Sequence, residues 1–161
     1  MKSKHSYSWI YSINASIVLL LILIFANFYG TLTDRFYFNK IENYLFPVLT
    51  VVHFIYMYAI KYKIRENEYP DVQMRNLEYF LYVVVGYYIY KVFILAEVLF
   101  AYSMSIEDII LPITFLPVTI FTIIGYLSLS LLTFHLMYTR KKEIGSYQID
   151  YFSEENLDTW P

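Results

Sequence analysis

The chain reads as all-α, a polytopic membrane protein whose four transmembrane helices form an antiparallel bundle. Three observations predict this. Of its 161 residues, 58% are hydrophobic and only 16% charged, well outside the balance of a soluble domain. The charges fall into a few short blocks rather than being spread along the chain. Between those blocks lie four apolar stretches, each long enough to cross about 30 Å of hydrocarbon at 1.5 Å per residue. A domain this small buries only about 60 to 70% of its unfolded surface, so helices apolar on every side need lipid around them.

The first span is expected over 10–29, inside a run from Ser6 to Thr33 without acidic or basic residues. Its apolar core is too long for a secretory leader, and the bulky Asn27-Phe28-Tyr29 offers no cleavage site. The second span is expected over 43–60, with Pro47 in its first turn, where a missing N–H costs least. Segment 61–76 carries Lys61, Lys63, Arg65 and Pro70 and reads as a solvated loop. The third span, 77–102, is apolar and aromatic. The fourth, 109–138, is expected to start from an Asp108 cap and to kink at Pro112 and Pro117. Residues 1–142 thus make one transmembrane domain, and 143–161 a separate acidic, aromatic tail.

Orientation follows from Lys and Arg, because basic loops resist translocation. With the N-terminus in the cytoplasm, nine basic residues lie inside (Lys2, Lys4, Lys61, Lys63, Arg65, Arg75, Arg140, Lys141, Lys142) against Arg35 and Lys40 outside. An even number of spans returns the C-terminus to the cytoplasm, and a cell inner (plasma) membrane is the expected location. Many of the 19 tyrosines cluster near the span ends, where amphipathic rings favour the headgroup zone.

Candidate sites follow from polar groups at membrane depth. Lys91 stands near the middle of the third span and Glu97 near its outer boundary. An ionised group there costs roughly 2.5 to 3.5 kcal/mol on insertion scales, so each needs a partner, water or a cavity. On one helix the two lie about 9 Å apart axially and roughly 120° around, too far to pair directly. Tyr79, Tyr82, Gly86, Tyr90 and Phe93 share the face of Glu97, and the fourth span has a matching stripe of Thr119, Thr122, Tyr126, Ser130 and Thr133. If these faces met, hydroxyls would line a seam across the membrane; ordinary helix packing uses the same residue types.

His53 and His135, on different spans at similar depth, are the residues that could hold a b-type haem, although no motif surrounds them. The spacing offers no metal site, and no other cofactor is expected. The absence of cysteine removes disulfides and thiol chemistry. No phosphate loop, dinucleotide fingerprint, nucleophile elbow or triad spacing is present, so an enzyme is disfavoured. Nucleic-acid binding has no support, since the basic loop is a topology signal. In the tail, Tyr147, Tyr151, Phe152 and Trp160 on an acidic segment fit partner docking or a solvated tail equally.

Two functions remain open. One is an oligomeric channel or transport component with a polar path through the third and fourth spans. The other is a non-catalytic accessory, assembly or immunity subunit that binds a larger membrane protein. A haem protein or a membrane-embedded lipid enzyme ranks below both. The partners implied are the bilayer itself and either further copies of the chain or a larger complex.

Overall fold

The computed structural model describes residues 8–104 and 111–147. They form four helices, α1 (Ser8–Phe28), α2 (Glu42–Glu66), α3 (Val72–Met104) and α4 (Phe115–Glu143), and two short strands, β1 (Tyr29–Gly30) and β2 (Arg35–Phe36). All four helices are long and apolar enough to cross a membrane. α3 packs on α4 and α1 on α4 most extensively, while α2 closes against α3 and α1.

The helices run further than the apolar spans. α2 continues through Lys61, Lys63 and Arg65, and α3 begins at Val72, so the expected loop over 61–76 shrinks to residues 67–71. Local chemistry explains the extension. Asn67 takes the left-handed conformation that ends a helix, at φ 54°, and the N–H groups of Asn67 and Glu68 both return to the Lys63 carbonyl. Asp71 then opens α3 by accepting the Met74 N–H at 2.8 Å, a side-chain cap. Lys63 lies under this turn. It reaches Asp71 at 3.0 Å, Glu68 at 3.4 Å and the Tyr69 carbonyl at 3.0 Å.

α4 starts at Phe115, later than expected, which leaves Pro112 outside the helix and puts Pro117 in the first turn, where no intrahelical N–H is needed. The proposed Asp108 cap lies outside the described residues. Pro47 sits in the second turn of α2, not the first. Its missing N–H frees the carbonyl of Asn43, and Asn27 of α1 donates to that carbonyl at 2.6 Å. A helix break is thereby avoided by a contact between helices.

Between α1 and α2 the strands form a small antiparallel hairpin, with Tyr29 opposite Phe36 and Gly30 opposite Arg35. Gly30 has no room for a Cβ, which would stand 2.5 Å from the Tyr37 ring. The Tyr29 hydroxyl donates to Asp34, and Thr114, at the start of α4, donates to the same carboxylate at 2.9 Å. Phe28, Phe36, Phe38 and Tyr44 pack around the hairpin with ring centroids 5.1 to 6.0 Å apart. No strand was expected from the sequence; this one is too short for alternation to register.

The register of α3 on α4 sets a depth scale. Tyr102 packs against Phe115 at one end and Glu78 binds Arg140 at the other. The 24 residues from Glu78 to Tyr102 correspond to about 36 Å, slightly more than a hydrocarbon core of about 30 Å.

Candidate functional site

Polar side chains along the apolar helices fall into two groups, those turned into the bundle and those turned away from it.

At the basic end, Glu78 of α3 and Arg140 of α4 form a two-pronged ion pair. Arg140 Nε and Nη2 donate to the two carboxylate oxygens at 2.7 Å each. The Tyr56 hydroxyl of α2 donates to Glu78 at 2.6 Å, and Arg140 Nη1 reaches the Gly145 carbonyl at 2.9 Å. The Tyr147 ring covers the guanidinium at 4.3 Å. Both charged side chains are buried. Burial, with Glu78 close by, pushes the Tyr147 phenol above its ordinary value. In the turn next to this cluster, burial works to raise the Asp71 carboxyl. The Met74 N–H and the Lys63 ammonium outweigh it and hold the group below its ordinary value. Arg140 is therefore not a free charge beyond the fourth span, as its position suggested, but the centre of a three-helix joint. Of the tail aromatics, Tyr147 packs on this joint; Tyr151, Phe152 and Trp160 lie outside the described residues.

Deeper in the bundle, Phe46 and His53 of α2, Tyr88 of α3 and Tyr126 of α4 form an aromatic cluster with centroid separations of 5.5 to 6.3 Å. His53 is fully buried and shares a 3.2 Å hydrogen bond with the Tyr88 hydroxyl; its Nε2 has no partner among the described residues. His135 is exposed on the opposite side of α4. The two imidazoles do not converge, so the geometry offers no haem slot between them.

The hydroxyl stripe of α4 is buried: Thr119, Thr122, Tyr126, Ser130 and Thr133 all face inward. Three of its members bond to their own helix, while the Thr119 hydroxyl has no partner among the described residues. Thr122, Ser130 and Thr133 donate to the carbonyls of Val118, Tyr126 and Leu129, each four residues back, at 2.7 to 2.9 Å.

The stripe of α3 faces the other way. Tyr79, Tyr82, Tyr90 and Phe93 each expose more than half of their surface, and Gly86 and Glu97 are exposed with them. A Cβ on Gly86 would meet nothing within 4 Å, so a notch opens between Tyr82 and Tyr90. The buried side of α3 is instead Met74, Glu78, Leu81, Val84, Val85 and Tyr88. The seam expected between the two hydroxyl stripes is not formed. The physical reason is that lipid exerts no force to turn a helix's hydroxylated side inward, while the side that carries Glu78 gains its ion pair with Arg140 by turning into the bundle.

Lys91 and Glu97 also separate. Lys91 is half-buried on the flank of α3, its ammonium 5.6 Å from the centre of the Tyr87 ring and under the influence of Glu42 on α2. Glu97 is exposed and has no hydrogen bond or ion pair among the described residues. Counting back from Tyr102, it lies about 7.5 Å along the axis from the contact of α3 with Phe115 of α4, which is a few ångströms inside a hydrocarbon layer of about 30 Å centred on the ~36 Å between the two contacts. Lys91 lies about 16 Å below that contact, near the middle.

No family model, curated protein or solved structure matches the chain.

The residues that position reasoning on single helices missed are Glu78, Tyr56 and Arg140 acting together. A signal for the pair exists. Positions 78 and 140 are equidistant from 109, beside the turn between the third and fourth spans, so folding that hairpin brings the acid and the base level.

Proposed function

We propose that the protein is a non-catalytic subunit of a membrane assembly, embedded with its basic end in the cytoplasm, that binds through the outward face of α3. The observation that carries this reading is that face itself. Along their middles the other helices turn mostly aliphatic and phenylalanine side chains outward, Val18, Leu21 and Phe25 on α1, Val48 and Val51 on α2, Ile124, Leu127 and Leu131 on α4, with exposed tyrosines nearer their ends at Tyr11, Tyr58, Tyr62 and Tyr138. Only α3, among the described residues, presents tyrosine hydroxyls, a glycine notch and a carboxylate together. Hydroxyls and small residues are the usual means by which helices associate where the hydrophobic effect between them is absent. A carboxylate at that depth costs up to roughly 3 kcal/mol, which a bound neighbour can offset.

A channel within one copy draws little support from this geometry, because Thr122, Ser130 and Thr133 of α4 bond to their own helix and the α3 stripe lies outside the bundle. Small size and the lack of catalytic spacing fit an accessory role.

The test is purification from native membranes in a mild detergent, with mass measured for the intact particle. The reading expects a particle well above the 19.4 kDa chain plus its detergent, reduced to that size by Tyr82→Ala with Tyr90→Ala. A wild-type protein that runs as a single chain under every mild condition overturns it.

A further inference from the structure

Resting on the reading above, we infer that the occupant of the α3 face is a helix of a different membrane protein, one that presents a lysine or arginine to Glu97 in the outer half of the bilayer. Charge complementarity carries the inference. Glu97 faces directly outward and has no cation among the described residues of its own chain. The nearest basic residue along the helix, Lys91, is directed about 120° away and sits over the Tyr87 ring.

A second copy of this chain paired through a two-fold axis does not supply what Glu97 lacks. Two copies in one membrane share an orientation, and a two-fold interface on this face sets each residue against its own counterpart, so Glu97 would meet Glu97 at the same depth. In a head-to-tail contact the neighbouring copy's Lys91 would have to reach across about 9 Å of axial offset, and its Arg35 and Lys40 belong to the connection between α1 and α2 rather than to a helix that could lie along the α3 face. Neither arrangement sets a helix with a level cation against that face. A partner helix with a cation at that level does so by one charge-assisted bond, and the Gly86 notch below it gives the partner backbone a place of close approach.

The experiment places a photo-activated crosslinking side chain at Phe93, one turn from Glu97, in the full-length protein in its native membrane, and maps the crosslinked segment by mass spectrometry. The expected adduct is to a transmembrane helix of another protein with Lys or Arg within one turn of the crosslink. Glu97→Lys is expected to cut that adduct at least tenfold and Glu97→Gln severalfold, and Lys or Arg→Glu in the partner is expected to restore it to the Glu97→Lys variant. Both Glu97 variants are checked for wild-type unfolding behaviour, which the exposure of the side chain predicts. An adduct to a second copy, an adduct to a helix without a cation, or one indifferent to both substitutions overturns the inference while leaving an α3 interface in place. Absence of any protein adduct at Phe93, Tyr90 and Tyr82 overturns the inference together with the interaction role beneath it.

Discussion

Removing the Arg140 side chain strands the Glu78 carboxylate in a site closed by three helices. The two bonds of 2.7 Å from the guanidinium vanish, and only the Tyr56 hydroxyl at 2.6 Å remains. For a buried pair broken on one side the usual cost is about 3 to 5 kcal/mol, most of it the unpaired charge rather than the attraction lost. Arg140→Met should sit in that range, at its lower end because Tyr56 still donates and because water lies close at this end of the bundle. Glu78→Gln should cost somewhat less, since a neutral amide leaves a cation that Tyr147 and the Gly145 carbonyl still hold. The double variant should cost less than the sum of the two, with a coupling of about 2 kcal/mol or more. Tyr56→Phe should cost about 1.5 to 3 kcal/mol, the scale of a hydrogen bond to a charged group. Equilibrium unfolding of the four proteins in bicelles, following helix content against denaturing detergent, yields the cycle. A coupling below about 0.5 kcal/mol would be the value of an exposed surface pair and would refute a buried joint at this position.

The two helical glycines separate the inner from the outer face: Gly86→Ala, with open space around it, should raise stability by about 0.5 to 1 kcal/mol. Gly125→Ala meets Leu23 at 2.9 Å and should lose that gain or turn it into a deficit of about 1 kcal/mol; equal effects in the same unfolding assay would count against the assigned packing. Asp71 is held below its ordinary value, so its contribution is complete above the ordinary carboxylate value near pH 4 and is lost as pH falls through the depressed one. Asp71→Ala should therefore cost about 1 kcal/mol at neutral pH and much less in strong acid; a cost independent of pH would show that Asp71 does not act as a charged cap. His53→Ala should destabilise by about 2 to 4 kcal/mol through a cavity beside Tyr88, while His135→Ala should stay within about 0.5 kcal/mol, and a Soret band lost in either variant would overturn the structural role given to both.

Much of this architecture is legible in the residues because hydropathy and charge act locally. The four apolar runs locate four helices; α2 and α3 gain turns because Asn67 and Asp71 cap them, and α4 starts late because Pro112 disfavours a helical conformation in the residue before it. The hairpin of Tyr29–Gly30 with Arg35–Phe36 and the donation from Asn27 to the carbonyl freed by Pro47 depend on contacts between segments, which no periodicity encodes. The facing of α3 was illegible for a different reason. In water a hydroxylated stripe and an aliphatic stripe have opposite destinations, but against lipid tails both sides of α3 are admissible, and the ion pair that Glu78 gains with Arg140 favours turning its side inward. The pairing of Glu78 with Arg140 was encoded, though only in the symmetry of their positions about the turn.

Two carboxylates on one helix meet opposite fates, and that contrast is informative. Glu78 and Glu97 are nineteen residues apart on α3, about 100° apart around it, the first buried and the second exposed. The first receives two bonds from Arg140 and one from Tyr56, which is nearly all a carboxylate can accept; the second receives none among the described residues. A chain able to build so complete a setting for one buried acid is not short of means to satisfy the other. Its remaining outward cations near that level, Arg35 and Lys40, belong to the hairpin between α1 and α2, and Lys40 already rests 4.7 Å from the centre of the Tyr37 ring. Within this fold, then, Glu97 is left over by arrangement rather than by lack of basic residues. The tyrosines and the notch that share its face extend the same pattern along most of the helix. On the reading proposed above, a face that combines these tyrosines, the notch and an unpaired carboxylate finds its energetic justification in a neighbour that returns a positive charge.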